Sequence, residues 1–295
     1  MDIEKLYQQK LIVSEQIADF LANDQNLILG MGVAMPPELI RGVSTALYSD
    51  QLKRLNLYYM HGSEVLSQTL LQPELADKVR ARSLFMSSHD RAAFKQLAIP
   101  ALVEFVPATF HQVGRLLTEQ VEPHCFMVTV SPMDKHGYFS LGTNADYGAS
   151  VIRKADKVIV EVNENMPRTF GECSVHISEV DGIIEHHTPL SEMPAHPPST
   201  TDIKIARIIA ERINDGDTLQ MGVGGVPSAV LGFLKGHKNL GLHSELFCPA
   251  MVELIQTGVI NGKHKSWMQH KHIFTLALGD KSMYDFMDDN PSIVG

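Results

Sequence analysis

Short apolar segments alternate with segments of helical character along the first part of the chain. The predicted strands are Asn26–Leu29, Leu55–Met60, Arg82–Met86, Leu102–Val106, Phe126–Val130 and Val158–Val162. The predicted helices are Ser14–Leu21, Pro37–Leu47 and Phe110–Glu119. The strands show little alternation of polar and apolar residues, as expected where helices cover both faces of a sheet. Strands that alternate with helices indicate parallel β-α-β units, so the predicted fold class is α/β.

A proline-rich stretch interrupts this pattern. Residues 188–200 read TPLSEMPAHPPST and hold four prolines, which disfavour the interior of both helices and strands. Ser199 to Asp202 then have the side-chain chemistry of a helix N-cap. We therefore predict an N-terminal domain at 1–188, a linker at 189–200 and a C-terminal domain at 201–295.

The start of the second domain resembles the start of the first. The segment IADFLANDQNLILGMGVAMP aligns with IIAERINDGDTLQMGVGGVP, so that Ile17 matches Ile208 and Pro36 matches Pro227 at one constant offset. Each copy is predicted to form a helix, a turn, a strand and a glycine-rich loop. We interpret the chain as two homologous open α/β domains with mainly parallel sheets and an active site in the cleft between them. The alternative is that any two β-α-β units look this similar.

The second copy is the shorter one. After a predicted strand at Ile273–Leu278 and a predicted helix at Lys281–Met287, the sequence ends at Gly295. Either the C-terminal domain is smaller than the first or the chain lacks part of it, and we expect a truncated domain.

A glycine-rich loop is the strongest chemical feature of the sequence. In Leu219–Pro227, which reads LQMGVGGVP, a predicted strand enters a loop with three glycines before the next helix. Glycine allows close approach of a ligand to the backbone, and free N–H groups at a helix start can bind an anion or an oxyanion. The loop lacks the last glycine of G-x-G-x-x-G, and no G-K-[ST] follows. A tight turn without a ligand is the alternative.

The only carboxylate in the next polar cluster is that of Glu245. The apolar run in NLGLHSELF ends at this cluster, which places Glu245 at the carboxyl end of a predicted strand, where ligands bind in open α/β sheets. The residues alone leave open whether Glu245 is a nucleophile, a base or merely a charge near a helix start.

Composition excludes several classes of protein. The formal net charge of −9 argues against nucleic acid as a partner, and no apolar stretch approaches the length of a membrane span. The N-terminus lacks the apolar core of a secretory signal. The three cysteines contain no C-x-x-C pair, which argues against a disulfide framework and a thiolate zinc site. We expect a cytoplasmic protein with no metal and no membrane partner.

A basic patch stands out in this acidic chain. It consists of Lys263, His264, Lys265 and Lys271. The pattern fits a solvated surface or a phosphate-binding site, and the residues alone favour the surface.

Four ordered motifs resemble those of the acetyl-CoA hydrolase/transferase family of class I CoA-transferases. They are Val130–Gly142, Val162–Gly171, Gln220–Pro227 and Gly241–Phe247. The resemblance covers most of the chain after about residue 120 and is looser before it. Two features depart from the family pattern: Cys248-Pro249-Ala250 stands where the family has S-D-G, and family members continue past the equivalent of Gly295.

The resemblance implies a role for each part of the candidate site. Glu245 would form a covalent glutamyl-CoA thioester, and Met31 and Gly32 of the first copy would contribute to the acyl pocket. The loop that would contact CoA and the reacting carbonyl consists of Gly222, Val223, Gly224, Gly225 and Val226.

The resemblance also implies the substrates. Coenzyme A is a substrate, no separate cofactor is needed, and the acceptor is a small carboxylic acid such as 4-hydroxybutyrate, butyrate or an itaconate-type acid. A homo-oligomer is expected by family analogy. Three alternatives stay open: an acyl-CoA hydrolase with the same nucleophile, a non-catalytic CoA-binding or assembly subunit, and a nucleotide-dependent α/β enzyme.

Overall fold

The computed structural model describes residues 2–97, 103–193 and 197–295. The chain separates into two compact units. The first comprises Met1–Gly142, Asp146–Met166 and Ser174–Thr188, and the second comprises Thr143–Ala145, Pro167–Cys173 and Pro189–Gly295. The predicted domain limits at 188 and 201 stay a prediction, as does the predicted cleft. Residues 194–196 of the predicted linker lie outside the described residues, and its other residues form no helix or strand before Thr200.

The first unit is built on a seven-stranded parallel sheet. The described strands of the first unit are β1 Asn26–Leu29, β2 Leu55–Tyr59, β3 Val79–Ser83, β4 Val103–Phe105, β5 Cys125–Val130, β6 Tyr138–Ser140, β7 Lys157–Val162, β8 Ser174–His176 and β9 Gly182–Glu185. The order in the sheet is β4-β3-β2-β1-β5-β7-β9, with every neighbouring pair parallel. Strands β6 and β8 form a separate antiparallel pair. The α/β prediction is confirmed.

Six α-helices accompany this sheet among the described residues. They are α1 Ile3–Lys10, α2 Pro37–Tyr48, α3 Glu64–Gln68, α4 Ser88–Leu97, α5 Phe110–Glu119 and α6 Gly148–Ile152. Short 3-10 helices lie at Ser14–Phe20, Gly32–Ala34, Pro73–Leu75 and Ile177–Glu179. All six residues of β5 are buried, which explains its unbroken apolar sequence.

The predicted bounds of six strands and helices in the first unit agree with the structure to within one residue. The predictions for β1 and α5 have the observed bounds, and those for α2, β2, β5 and β7 differ by one residue at one end. The segment Ser14–Leu21 was predicted as a helix and forms a 3-10 helix over Ser14–Phe20. Of the predicted strand Leu102–Val106, Leu102 lies outside the described residues and Val103–Phe105 is β4.

The prediction of a strand at Arg82–Met86 is wrong, because the strand is β3 at Val79–Ser83. This strand alternates buried and more exposed residues instead of forming an apolar run. The guanidinium groups of Arg80 and Arg82 each donate to Glu104 on β4, at 2.9 and 3.0 Å. Because one face of β3 carries paired charges, the strand has no continuous apolar sequence and a search for apolar segments does not find it.

A buried carboxylate holds the start of α2. Glu161, on β7, is fully buried, and its Oε2 accepts hydrogen bonds from the backbone N–H groups of Glu38 (2.8 Å) and Leu39 (3.1 Å). Its Oε1 lies 2.9 Å from Nδ1 of His186. The first N–H groups of a helix have no intrahelical acceptor, and a negative charge at this end is favourable. Glu161 therefore fixes the helix that follows the Gly32 turn.

The second unit has shorter strands. They are β10 Thr218–Leu219, β11 Gly241–Leu242, β12 Leu246–Phe247, β13 His272–Ile273, β14 Leu276–Ala277 and β15 Ile293–Val294. Its helices are α7 Thr200–Ala210, α8 Gly225–Phe233, α9 Pro249–Gln256 and α10 Lys281–Met287. The pairs β10–β11, β12–β14 and β13–β15 are all parallel, and an isolated bridge joins His243 to Ile273.

One predicted strand of this unit is divided. The segment Ile273–Leu278 was predicted as one strand, but it contributes to β13 and β14 with a break between them. The break has a cause, since the backbone N–H groups of Thr275 and Leu276 both donate to the carbonyl of Glu245, at 3.0 and 2.8 Å. The helix predicted at Lys281–Met287 is confirmed. Among the residues that the structure describes, no helix is both long and apolar enough to cross a membrane.

We expect the contact between Glu161 and His186 to make the stability of the first unit depend on pH. The hydrogen bond to Glu161 raises the pKa of His186 against the opposing effect of partial burial. The pKa of His186 is then higher in the folded state than in the unfolded state, where it is about 6.5. The resulting stabilisation is complete below the unfolded-state pKa and is lost as the pH rises through the folded-state pKa. The free energy of unfolding of wild type should therefore fall, relative to that of His186→Gln, as the pH rises above about 6.5.

Urea denaturation between pH 6 and 9 measures this difference. His111→Gln is the matched control, because His111 is exposed on α5. Parallel pH profiles for wild type and His186→Gln would show that the two side chains are not coupled.

Candidate active site

Glu245 lies in the interruption between β11 and β12. Its carbonyl accepts the two hydrogen bonds from Thr275 and Leu276 described above, so its main chain is fixed. Its side chain is exposed, and the carboxylate has no hydrogen-bond or salt-bridge partner among residues 2–97, 103–193 and 197–295. The structure thus presents an available carboxylate on a rigid support, as a nucleophile requires.

Ser244 connects Glu245 to the glycine-rich loop. Its side chain is buried. The Oγ atom accepts a hydrogen bond from the backbone N–H of Met221 and donates one to the carbonyl of Met221, both at 3.0 Å. Since Met221 directly precedes Gly222, this single hydroxyl brings the two features predicted from sequence together. Sequence reasoning missed this role of Ser244, and the only signal was its place within the HSE cluster.

The loop exposes its backbone. Gly222, Val223 and Gly224 are exposed, while Gly225 and Val226 are half-buried. None of the backbone N–H groups from Gly222 to Val226 donates to another described residue. Helix α8 begins at Gly225, and its N-cap, Gly224, has no side chain to cap it. A helix start with free N–H groups attracts negative charge, so the loop can stabilise an anion or a developing oxyanion.

The three glycines of the loop serve two purposes. A Cβ atom at Gly222 or Gly224 would meet no atom within 4 Å, and Gly224 has a φ of +122°, which favours glycine. At Gly225, by contrast, a Cβ would collide with the carboxylate of Asp202, whose Cγ would lie 2.8 Å away. The first two glycines keep the backbone accessible, and the third allows α8 to pack against the start of α7.

Met31 and Gly32 belong to the first unit. Met31 is almost fully buried, and Gly32 starts the 3-10 turn that precedes α2 with a φ of +54°. Their predicted contribution to an acyl pocket stays a prediction. Gly222 to Val226 and Glu245, in contrast, all lie in the second unit, where Ser244 connects them.

His61 is a further unusual residue that sequence reasoning did not single out. It follows the carboxyl end of β2 and adopts a left-handed φ of +54°, which is uncommon for a residue other than glycine. Its ring stacks on Phe85 with 4.1 Å between ring centroids, and its Cβ is 4.0 Å from the position that a Cβ on Gly32 would take. Burial lowers the pKa of His61, against the effect of Asp90. A left-handed histidine at a strand end leaves no mark in the sequence pattern.

No metal centre is evident among residues 2–97, 103–193 and 197–295: no three His, Cys, Asp or Glu side chains are grouped so that they could hold an ion.

Free N–H groups at a helix start are suited to stabilise an oxyanion, and the exposed carboxylate of Glu245 lies in the same unit. Comparison with known proteins specifies the family. The chain matches the N-terminal domain of the acetyl-CoA hydrolase/transferase family over residues 1–193. It therefore belongs to that family.

Individual relatives agree with this assignment. The chain is 33% identical to 4-hydroxybutyrate coenzyme A transferase from Clostridium kluyveri, over 99% of this chain and 67% of that protein. It is 30% identical to butyryl-CoA:acetate CoA-transferase from Anaerostipes caccae, over 99% of this chain and 65% of that protein. The crystal structure of RipA from Yersinia pestis superposes with a TM-score of 0.95 at 39% identity, covering 100% of this chain and 69% of RipA. The chain thus spans about two thirds of the length of these proteins.

We expect the glycines of the loop to respond differently to alanine. Gly225→Ala should lower the free energy of unfolding by about 1 kcal/mol, because Asp202 must move and release its capping contacts with Ser199 at the start of α7. Gly222→Ala should leave that free energy within about 0.5 kcal/mol of wild type, since its Cβ meets nothing. Urea denaturation of both variants checks this, and equal losses would contradict the division of roles.

Proposed function

We propose that this chain acts in a CoA-transferase that moves coenzyme A between short-chain carboxylic acids through a glutamyl-CoA thioester on Glu245. One observation carries the proposal. The exposed carboxylate of Glu245 has no partner among the described residues and is connected, through the buried hydroxyl of Ser244, to a loop of unbonded N–H groups. The names of the relatives support transfer of CoA between acids such as 4-hydroxybutyrate, butyrate and acetate.

The overall reaction replaces one thioester by another. Nucleophilic catalysis by Glu245 would divide this exchange into separate steps. In the first step a Glu245 carboxylate oxygen attacks the carbonyl of acyl-CoA, the C–S bond breaks, and CoA leaves as a thiolate. The product is a mixed anhydride between Glu245 and the acyl group. Covalent catalysis of this kind divides one slow exchange into easier steps.

The second step transfers CoA to the enzyme. The thiolate attacks the glutamyl carbonyl, the anhydride C–O bond breaks, and the first acid leaves as a carboxylate. Glu245 then carries CoA as a thioester. The acceptor carboxylate attacks this thioester, and the same steps run in reverse to release the new acyl-CoA and the free Glu245 carboxylate.

The loop would supply electrostatic stabilisation. Each step passes through a tetrahedral oxyanion, and the N–H groups between Gly222 and Val226 are candidate donors for it. Loss of one such donor typically raises a barrier by about 2.7–4 kcal/mol. Met31 and Gly32 remain the proposed contribution of the first unit to the acyl pocket, and an itaconate-type acid remains a candidate substrate. A homo-oligomer and a cytoplasmic location are proposed on the family resemblance alone.

Intact mass spectrometry tests the proposed intermediate. Wild type, Glu245→Gln and Glu253→Gln are each incubated with acetyl-, butyryl-, 4-hydroxybutyryl- and succinyl-CoA. Glu253 is a suitable control because it is an exposed glutamate on the neighbouring α9, and its carboxylate pairs with Lys235. We expect an adduct of one CoA less one water on wild type and on Glu253→Gln, sensitive to hydroxylamine, and none on Glu245→Gln. Its absence from wild type with every donor would contradict the proposal.

We expect Glu245→Asp to slow formation of this adduct by about 100-fold. The charge is kept, but the carboxylate is withdrawn by one methylene, and a displacement near 1 Å can cost that much in rate. Quenched time courses of adduct formation measure the effect, with Glu253→Asp as the control. An unchanged rate would show that the position of the carboxylate is not critical and that Glu245 is not the nucleophile.

The acyl-CoA hydrolase is the second candidate function, since the same intermediate can react with water. The exposure of Glu245 within the second unit is the observation that favours it, because an anhydride or thioester in contact with water hydrolyses. Adding acetate to a butyryl-CoA assay separates the two. A transferase produces acetyl-CoA, whereas a hydrolase releases only free thiol.

A further inference from the structure

Strand β10 has one edge that pairs with no other strand in the described parts of the chain. The carbonyls of Asp217 and Leu219 accept hydrogen bonds from N–H groups of the β11 segment, at 2.8 and 3.0 Å. Backbone groups of successive residues in a strand point to opposite sides, so those of Thr218 and Gln220 point away from β11. Among the described residues, the N–H and C=O groups of Thr218 and Gln220 have no hydrogen-bond partner.

This free edge, Thr218 to Gln220, is here called the β10 edge. Thr218 and Gln220 are both exposed, and β10 contains neither a charged residue nor a proline. Proteins commonly protect a free strand edge with such residues or cover it, because an open edge is a template for pairing with another segment. The β10 edge is therefore suited to receive a further strand.

The other side of β11 is closed by the second unit itself. Lys265 is only 3% exposed, and its Nζ donates to the carbonyl oxygens of Leu242 (2.9 Å) and Lys271 (2.7 Å). An isolated bridge also joins Leu240 to Ile260. The position of Lys265 corrects the basic patch predicted from sequence, because this lysine is not at the surface.

The first unit contains an equivalent of the β10–β11 pair. Strand β1 leads through the Gly32 turn to α2 and then to β2, as β10 leads through the glycine-rich loop to α8 and then to β11. The ladders also begin alike. The carbonyl of Gln25 accepts from the N–H of Asn56 at 3.0 Å, as that of Asp217 accepts from the N–H of Gly241 at 2.8 Å.

In the first unit a parallel strand covers the edge that corresponds to the β10 edge. The register of the two ladders matches Ile28 with Gln220, one residue away from the alignment made on sequence alone. Ile28 lies opposite Phe126 of β5, and the N–H of Gly30 donates to the carbonyl of Met127 at 2.8 Å. Strand β5 thus occupies the position relative to β1 that an added strand would take relative to β10.

Helix α7 leaves an apolar face uncovered in the same unit. Its buried residues are Ala206 and Ala210, whereas Ile205, Ile208 and Ile209, which are spaced to share one helix face, are each at least 40% exposed. An exposed apolar patch of this kind marks an interaction surface. Because the helices of α/β units lie on the faces of the sheet, strands added beyond β10 would extend the face that α7 can cover.

The relatives indicate which polypeptide this is. The chain spans about two thirds of their length, so about a third of each relative has no match in this chain. A parallel strand with its crossover connection needs only a dozen residues or more. The unmatched third is long enough to supply such a strand together with apolar residues for the face of α7.

We propose that the β10 edge is a docking site for a polypeptide segment equivalent to the unmatched third of the relatives. This segment adds a parallel strand to β10, as β5 does to β1, and covers Ile205, Ile208 and Ile209 of α7. Main-chain hydrogen bonds to Thr218 and Gln220 give affinity, as in other cases of strand addition. The inference goes beyond the proposed function and does not depend on the identity of the substrate.

The added strand also reaches the start of the glycine-rich loop. It would accept the N–H of Gly222, as Met127 accepts that of Gly30 in the first unit. The N–H groups of Val223 to Val226 would then remain available for an oxyanion.

Co-expression tests the docking site. The part of RipA that this chain does not match is produced as a separate polypeptide together with wild type, Ile208→Asp or Val13→Asp. Val13 is a matched control because it is 58% exposed, as Ile208 is, and lies in the first unit. We expect a one-to-one complex with wild type and with Val13→Asp by gel filtration with light scattering. Association with Ile208→Asp should be about ten-fold weaker or worse, because docking would bury a charge.

Two outcomes of this experiment would overturn the proposal. One is equal association of Ile208→Asp and wild type. The other is a dimer of wild type alone that Ile208→Asp dissociates, since a second copy of the chain would then cover α7.

Hydrogen exchange tests the β10 edge itself. The same part of RipA is joined to this chain by a flexible Gly/Ser linker, so that docking is intramolecular and does not require the separate polypeptide to fold alone. We expect the N–H groups of Thr218 and Gln220 to exchange about ten-fold more slowly, or slower still, in the fusion than in the unfused chain, because they become hydrogen-bonded. Unchanged exchange would overturn the assignment to β10, even if a complex forms.

The two proposals fail separately. A CoA adduct on Glu245 without protection of the β10 edge would leave the transferase standing and remove the docking site. Protection of Thr218 and Gln220 without any adduct on Glu245 would do the reverse.

Discussion

The hydroxyl of Ser244 accepts a hydrogen bond from the N–H of Met221 and donates one to the carbonyl of Met221. The candidate site depends on these two hydrogen bonds. Glu245 and the glycine-rich loop are contributed by different β-α segments, and their strands pair over only two residues each. A ladder of two residue pairs fixes the relative direction of β10 and β11, but it fixes the positions of the loops after these strands less well. By holding the residue before Gly222 to the residue before Glu245, Ser244 sets where the carboxylate and the unbonded N–H groups lie relative to each other. Alanine there would leave the buried N–H of Met221 without a partner, at a cost of about 1–3 kcal/mol, whereas the carbonyl of Met221 would keep the side-chain amide of Gln220 as a donor at 3.4 Å.

The electrostatics of this arrangement favour a charged intermediate. The start of α8 has no side-chain cap, so its N–H groups remain a source of positive potential. Such a source would stabilise any carboxylate close to it, which weakens a nucleophile. It also stabilises the oxyanion that develops on a neighbouring carbonyl. Only the difference between these two stabilisations lowers the barrier. The N–H groups must therefore point at the position of the oxyanion more closely than at the carboxylate.

The parts of the fold that were predictable from sequence are those in which burial alone selects the residue. Strand β1 is mainly apolar because both faces are covered, and its bounds follow, while the bounds of β7 follow to within one residue. Strand β3 was misplaced because Arg80 and Arg82 pair with Glu104 on its more exposed face. Glu245 and Gly222 were identifiable as candidates because their residue types are unusual at the end of a strand. The role of Ser244 was not predictable, since it depends on the register of β10 with β11, which decides the main-chain atoms that lie opposite its hydroxyl.

Exposure of Glu245 raises a last physical question, because a carboxylate in water is a poor nucleophile and its activated products hydrolyse. Within the second unit the glutamate, Gly222 and Gly224 are all exposed, so water must be displaced when substrate binds. If the acyl group alone displaced this water, its binding would have to overcome the hydration free energy of the carboxylate. That free energy is large compared with the gain from burying a few methylene groups. Binding energy from a remote part of the substrate can contribute instead. Binding of the nucleotide end of CoA would thus serve the rate of transfer as well as affinity, because it holds the thioester where it replaces water at Glu245.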